Sequence, residues 1–180
     1  MTSTQTLTNR GSGSFEATKT IGLISDTHVP KRALNVPQKV FEIFQNVDFI
    51  IHAGDLVELS VIDELEQIAP VLAVHGNLDS VEVNNALPVL NSLKIFSWKI
   101  GVMHDPEVSN GPDRMVQIAK ENGFNVFVHG HTHNPRINWE REILYINPGS
   151  PTDPASFLNK PSVGLLQMTK NTITPQIINL

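Results

Sequence analysis

Short apolar runs punctuate this chain, and histidines stand at or near their ends. IGLISDTH ends at His28, FIIH at His52, VLAVH at His75 and IGVMH at His104, while VFVHGHTH carries His129, His131 and His133. The stretches Thr20–Ser25, Phe49–His52, Val71–His75, Ile100–His104 and Val126–His129 are short, β-rich and apolar, which predicts strands. Their near-continuous apolarity predicts burial on both faces. Helical patterns lie between them. Gln38–Gln45 puts Val40, Phe41 and Phe44 on one face, with Pro37 at the first turn. Ser60–Ala69 reads as a helix with Ser60 as N-cap and Asp63 at the third position. Asp113–Asn122 turns Met115, Val116, Ile118 and Ala119 inward, and Gly123 ends it.

The alternation of strand and helix predicts an α/β architecture. The second half of the chain has fewer helices. Lys94–Ser97, Arg136–Trp139, Ile143–Ile146, Val163–Met168 and Thr172–Ile178 read as strands of a second sheet packed on the first. Asn171 falls in a hairpin turn between the last two. Residues 147–161 hold four prolines and read as one long loop with a short helix near Ala155.

Composition narrows the function classes. The chain has 180 residues, 40% hydrophobic and 17% charged, as in ordinary globular proteins. Its net charge of −5 disfavours nucleic acid as a main partner, because phosphate-backbone binding needs a basic face. With no cysteine, thiolate catalysis and cysteine-ligated metal sites are excluded. No stretch reaches the roughly 20 apolar residues of a membrane span. Residues 1–18 read as a flexible leader without a secretory apolar core, and residues 19–180 as a single domain. A cytoplasmic protein is expected, with no membrane partner.

The polar residues beside the strand ends carry the chemistry. Asp26-Thr27-His28 is a D-x-H pair, Gly54-Asp55 and Gly76-Asn77-Leu78-Asp79 follow the next two strands, and Gly130-His131-Thr132-His133 supplies an H-x-H. Singly, each has an ordinary turn or packing explanation, above all the G-D and G-N dipeptides. Together they gather imidazoles, carboxylates and an amide at strand ends. In open α/β sheets that edge is where sites form, and this ligand mixture suits divalent transition metals.

The ordered set D-x-H, G-D, G-N, H and G-H-x-H resembles the calcineurin-like metallophosphoesterase superfamily, and within it the small YfcE-like phosphodiesterase branch, from about Thr20 to near the C-terminus. The resemblance implies an αββα four-layer sandwich of two mixed β-sheets flanked by helices. It also implies two divalent metal ions, with Mn first and Ni, Co, Fe or Zn as alternatives. One ion would take Asp26, His28 and His133, the other Asn77, His104 and His131, with Asp55 bridging. Asp55, Asn77 and His104 would then act in catalysis through the metals. The implied reaction is hydrolysis of a small phosphoester, a phosphodiester first, by in-line attack of a hydroxide held between the ions. A phosphomonoesterase or nucleotidase is the alternative within enzymes. A non-catalytic Vps29-like interaction scaffold is the alternative outside them, and a homo-oligomer is compatible with all three.

Two departures from the family pattern stand out. Leu78 occupies the position where many relatives carry a histidine that protonates the leaving group, so that role is vacant and Asp79 lacks an imidazole to orient. Asp105 follows His104 where glycine is usual. A carboxylate there would repel phosphate unless it turned away or held a metal ligand in place, and turning away is the expectation. His52, His75 and His129 are read as supports or packed histidines, and Asn147-Pro148-Gly149-Ser150 as a structural turn.

Overall fold

The computed structural model describes residues 17–105 and 114–180. Positions 1–16 of the expected leader and Asp113 of the expected helix lie outside them. Fourteen elements follow in chain order: β1 (Lys19–Ile24), α1 (Gln38–Phe44), β2 (Phe49–His52), α2 (Ser60–Glu66), β3 (Val71–Ala73), α3 (Val81–Ala86), β4 (Leu90–Ile95), β5 (Trp98–Met103), α4 (Arg114–Asn122), β6 (Val126–Val128), β7 (Arg136–Glu140), β8 (Ile143–Asn147), β9 (Ser162–Met168) and β10 (Ile173–Asn179).

They build two mixed five-stranded sheets, ordered β10-β9-β1-β2-β3 and β4-β5-β6-β8-β7. The parallel pairs are β1 with β2, β2 with β3, β5 with β6 and β6 with β8. Antiparallel strands close both flanks of the second sheet but only the β9–β10 flank of the first, whose other edge is the parallel strand β3.

Side chains alternate across a strand, so each sheet feeds two layers of core. Ile21, Leu23 and Ile51 of the first sheet face Ile100, Val102, Val126, Val128, Leu144 and Ile146 of the second. On the outer face of the first sheet, Ile24 and Ile50 pack with Val40, Phe44, Val61, Leu65 and Val83 from α1, α2 and α3. On the outer face of the second, Phe127, Ile143 and Tyr145 pack with Ile118 and Ala119 of α4. Helix, sheet, sheet and helix therefore stack in that order, as the αββα reading expects. Among the described residues no helix is long and apolar enough to cross a membrane.

The sheets do not divide between the halves of the chain, which corrects the sequence reading. β5 and β6 belong to the second sheet, whereas the late hairpin β9–β10 returns to the first. Its turn closes at Thr169 to Thr172, around Asn171. Apolar patterning marks a strand as buried but not which sheet buries it. Three local corrections accompany this. The residue capping α2 is Leu59 rather than Ser60, and no side chain caps it. The strand expected at Lys94–Ser97 runs instead over Leu90–Ile95. The 147–161 region contains no helix near Ala155. The short α3 was not foreseen, because four of its six residues are Val or Asn, which are weak helix formers. Ser80 starts it, its hydroxyl accepting the Val83 amide at 3.3 Å.

Candidate metal centre

All seven candidate ligands follow the carboxyl ends of parallel strands: Asp26 and His28 after β1, Asp55 after β2, Asn77 after β3, His104 after β5, and His131 and His133 after β6. Backbone hydrogen bonds knit these exits together. The Asp26 amide donates to the Gly54 carbonyl, His28 to Asp55, and Gly130 to His104. Two sheets thus present their ends to one shared edge.

The chain takes an uncommon backbone route there. Asp26 (φ 53°), His28 (45°), Asp55 (57°), His131 (68°) and His133 (54°) all adopt left-handed conformations. Such geometry costs on the order of 1–3 kcal/mol per non-glycine residue and concentrates at functional sites. Here it points side chains inward from loops that would otherwise run outward. The glycines relieve crowding. A methyl group on Gly76 would press on the Asp55 carboxylate and stand 2.7 Å from the His104 ring, and one on Gly130 would stand 2.7 Å from an Asp26 oxygen.

The inward groups form two adjoining clusters. Ligand atoms of Asp26, His28 and His133 lie within 4.8 Å of one another, and so do those of Asp26, Asp55 and His104. In the first, His28 Nε2 and His133 Nε2 are 3.2 Å apart, and His133 Nε2 is 3.2 Å from Asp26 Oδ1. In the second, His104 Nε2 is 3.3 Å from Asp55 Oδ2 and 3.2 Å from Asn77 Oδ1. Asn77 Oδ1 is also 3.1 Å from His131 Nδ1. Asp55 Oδ2 reaches back to 4.0 Å from His28 Nε2. Both carboxylates therefore lie between the clusters.

The donor set fits divalent cations. Asp26 and Asp55 are 0% and 1% exposed, and among the described residues no lysine or arginine pairs with either. Buried carboxylates need a positive partner, and the imidazoles supply it. Burial pulls His104 down, but its hydrogen bond to Asp55 and the charges of Asp26 and Asp55 win, and it is pushed up to about 9. The hydrogen bond to Asp26 raises His133 despite burial. For Asp55, burial acts upward, but His104 and the Leu78 amide hold the carboxyl below its ordinary range. Protons on these imidazoles occupy the role a metal cation fills. The outer nitrogens are already engaged: His104 Nδ1 donates to the Ala53 carbonyl at 2.8 Å, and His133 Nδ1 donates to the Asp153 carbonyl. That fixes each ring with Nε2 inward, the arrangement metal-ligating histidines share.

The remaining candidates sort by what they touch. His52 is buried, accepts the Gly54 amide on Nδ1 at 3.2 Å, and turns Nε2 to the Thr27 hydroxyl at 3.1 Å. Burial pushes it down to about 4, so it is a neutral brace between two ligand loops. Desolvation also pushes His129 down to about 4; its Nδ1 is 3.5 Å from the Asn147 amide. His75 lies two residues beyond β3 and lines a shallow pocket with Asn77, His104 and Asp105. Asp79 does more than the sequence suggested. Its carboxylate accepts the amides of Asp55 (3.1 Å), Gly76 (2.6 Å) and Val57, tying the β2 and β3 exits together. Asp105 does not turn away, which corrects the expectation. Its Oδ2 stands 3.6 Å from His131 Nε2, the ring nitrogen opposite the one facing Asn77.

Sequence reasoning missed a supporting loop. Ser150 donates to the Asp26 carbonyl at 2.7 Å and Thr152 to the Thr27 carbonyl at 2.7 Å. Asn147 donates to the Gly130 carbonyl at 2.7 Å. The Asn-Pro-Gly-Ser turn is thus a clasp on the D-x-H and H-x-H loops. The sequence signal was present in its clustered Asn, Ser, Thr and Asp residues, whose side chains bond readily to nearby backbone.

Comparison with known proteins agrees with this geometry. The model of the calcineurin-like phosphoesterase superfamily domain matches residues 20–171. A probable metallophosphoesterase of Methanocaldococcus jannaschii is 45% identical over 139 residues, covering 76% of this chain and 70% of that protein. A phosphodiesterase of the same organism is 31% identical over 166 residues, covering 83% and 93%. Among solved structures, vacuolar protein sorting 29 from Cryptosporidium parvum superposes with a TM-score of 0.80 at 25% identity, covering 91% of this chain and 92% of that one.

Two outcomes follow. The pKa of His52 is lower in the folded protein than its ordinary 6.5, so the unfolded chain binds the extra proton. Stability from this residue is complete above pH 6.5 and is lost as pH falls through about 4. The slope is about 1.4 kcal/mol per pH unit for one proton. Urea unfolding across that window will show this slope, and His52→Gln will reduce it. Asp105→Gly frees the outer nitrogen of His131 and should weaken divalent-metal affinity by roughly 10–100-fold, read by competition with a chromophoric chelator.

Proposed function

The chain belongs to the calcineurin-like phosphoesterase superfamily, and we propose that it is a phosphodiesterase acting on a small phosphodiester at a centre of two divalent metals. It is a metallophosphoesterase, hence a hydrolase, as its relatives are. The observation that carries the finer reading is the convergence of carboxylate, amide and imidazole groups in two adjoining clusters that share buried Asp26.

In this proposal Asp26, His28 and His133 hold one ion and Asn77, His104 and His131 the other, with Asp55 between them. Mixed nitrogen and oxygen ligands suit Mn, and also Ni, Co, Fe or Zn. Bound ions would supply a water acidified toward neutrality and positive charge for the phosphoryl oxygens. The chain's own residues do the rest. Asp55 is held rigid from both sides, its amide on Asp79 at 3.1 Å and its Oδ1 on the Leu78 amide at 2.8 Å. The carbonyls of Ala53 and Asp153 fix the rings of His104 and His133. Neutral Asn77 offers an oxygen on the solvent side of the site, where it adds no charge to oppose an incoming phosphate.

Leu78 shapes the choice of substrate. It is 48% exposed beside the centre and cannot donate a proton. A phosphodiester with an acidic leaving group needs no such donor, and this supports the phosphodiesterase reading over a general phosphomonoesterase. The shared fold with vacuolar protein sorting 29 is compatible with this, since function lies in the site rather than the fold.

Diester turnover should therefore fall steeply as leaving-group pKa rises, and Leu78→His should flatten that dependence. A series of aryl and alkyl phosphodiesters assayed with Mn measures it. A flat dependence in the native protein would refute the vacant-acid reading, and faster monoester than diester turnover would favour the phosphomonoesterase alternative.

A further inference from the structure

Asn77 and His104 of the second cluster also line a shallow pocket of about 280 Å³, together with His75, Val89, Met103 and Asp105. That volume falls just short of the range for whole small-molecule sites, about 300–1,000 Å³. It suits one arm of a molecule anchored elsewhere, and the neighbouring anchor is the candidate metal centre.

Local folding explains the apolar members. β4 and β5 pair antiparallel with Leu90 opposite Met103, and one further step sets Val89 opposite His104. The Pro88 carbonyl accepts the His75 amide at 3.1 Å, which holds Val89 near the β3 exit. Val89 is 52% exposed and Met103 half-buried, so each keeps apolar surface that the fold does not cover. Burying such surface is favourable in proportion to its area.

The polar lining is already engaged. His104 Nε2 and Asn77 Oδ1 meet at 3.2 Å, and Asp105 faces His131. His75 Nδ1 lies 3.4 Å from the Gly76 carbonyl. What remains for a ligand is the side chains of Val89 and Met103 and the His75 ring. Among the described residues no lysine or arginine lines the pocket. An anionic group entering it would face Asp105 with no cation to offset its lost hydration.

We propose that this pocket receives one ester arm of the substrate, and that the arm is small, uncharged and apolar, an aryl or short alkyl group. This rests on the two-metal phosphodiesterase reading and narrows its substrate class to diesters with at least one neutral arm. A nucleic-acid strand, with a further phosphate on either side of the reacting one, is disfavoured. Specificity comes from Val89 and Met103 for the neutral arm and from Asp105 against a charged one.

Calorimetric titration of the manganese-loaded full chain with phosphinates tests this. Phosphinates carry the single charge of a diester on two P–C bonds that hydrolysis does not cleave. Methyl(phenyl)phosphinate should bind about tenfold tighter than dimethylphosphinate, the low end of what fit in a hydrophobic pocket provides. Its 4-carboxyphenyl counterpart should bind no more tightly than dimethylphosphinate. Val89→Ser, at an exposed position, should weaken the phenyl compound about threefold and Met103→Ala about tenfold. Both should leave the affinity for dimethylphosphinate unchanged, a split that general loss of structure does not produce. Three results would overturn the pocket assignment and leave the metal centre standing: equal affinity for the phenyl and methyl compounds, a carboxylated arm that binds as tightly as the neutral one, or substitutions that weaken both phosphinates alike or neither. Failure of every phosphinate to bind the manganese-loaded protein would overturn the two-metal reading and the pocket assignment with it.

Discussion

Asp26 and Asp55 sit at the meeting edge of two sheets, almost wholly out of water, with imidazoles, backbone amides and the Ser25 hydroxyl around them. Withdrawing two carboxylates from solvent is expensive unless positive charge comes with them. Much of the architecture serves that requirement. The parallel strands deliver five loops to one edge, and each loop brings an imidazole, an amide or a backbone donor. In the absence of any other cation His104 and His133 hold protons more tightly than ordinary histidines. The arrangement is therefore built for positive charge, and divalent ions satisfy it more fully than protons.

Holding such a site requires a second layer, which lies in backbone contacts. Asp79 gathers three amides from two loops. Ser150, Thr152 and Asn147 clasp the loops after β1 and β6. His52 stays neutral and links Thr27 to the Gly54 amide. These contacts offset the left-handed backbone at five candidate ligands, and the strain persists because the surroundings fix it. Asp105 extends the same logic to His131, the half-exposed member of the set.

Much of this was legible in the sequence, for a physical reason. A strand buried on both faces must be apolar along its length, so polar residues at its end stand out. Asp26, His28, Asp55, Asn77, His104, His131 and His133 were visible that way, and the structure brings them together. The two layers of sheet were expected too. Sheet membership was not legible, because β9 and β10 carry the same alternation whether they pair with β1 or with β8. Nor was the direction of Asp105, which depends on where His131 lies in space. The clasp at Asn147 to Asp153 looked like an ordinary turn, since its side chains bond to backbone that is more than a hundred residues away in the chain at Asp26 and Thr27.

The proposed function requires two metal ions at this one buried edge. Anomalous diffraction from crystals grown with Mn, recorded above and below its absorption edge, tests this most directly. The account predicts two peaks per chain. One should be bound by Asp26, His28 and His133, the other by Asn77, His104 and His131, with Asp55 touching both. A single peak, or peaks away from these residues, would contradict it.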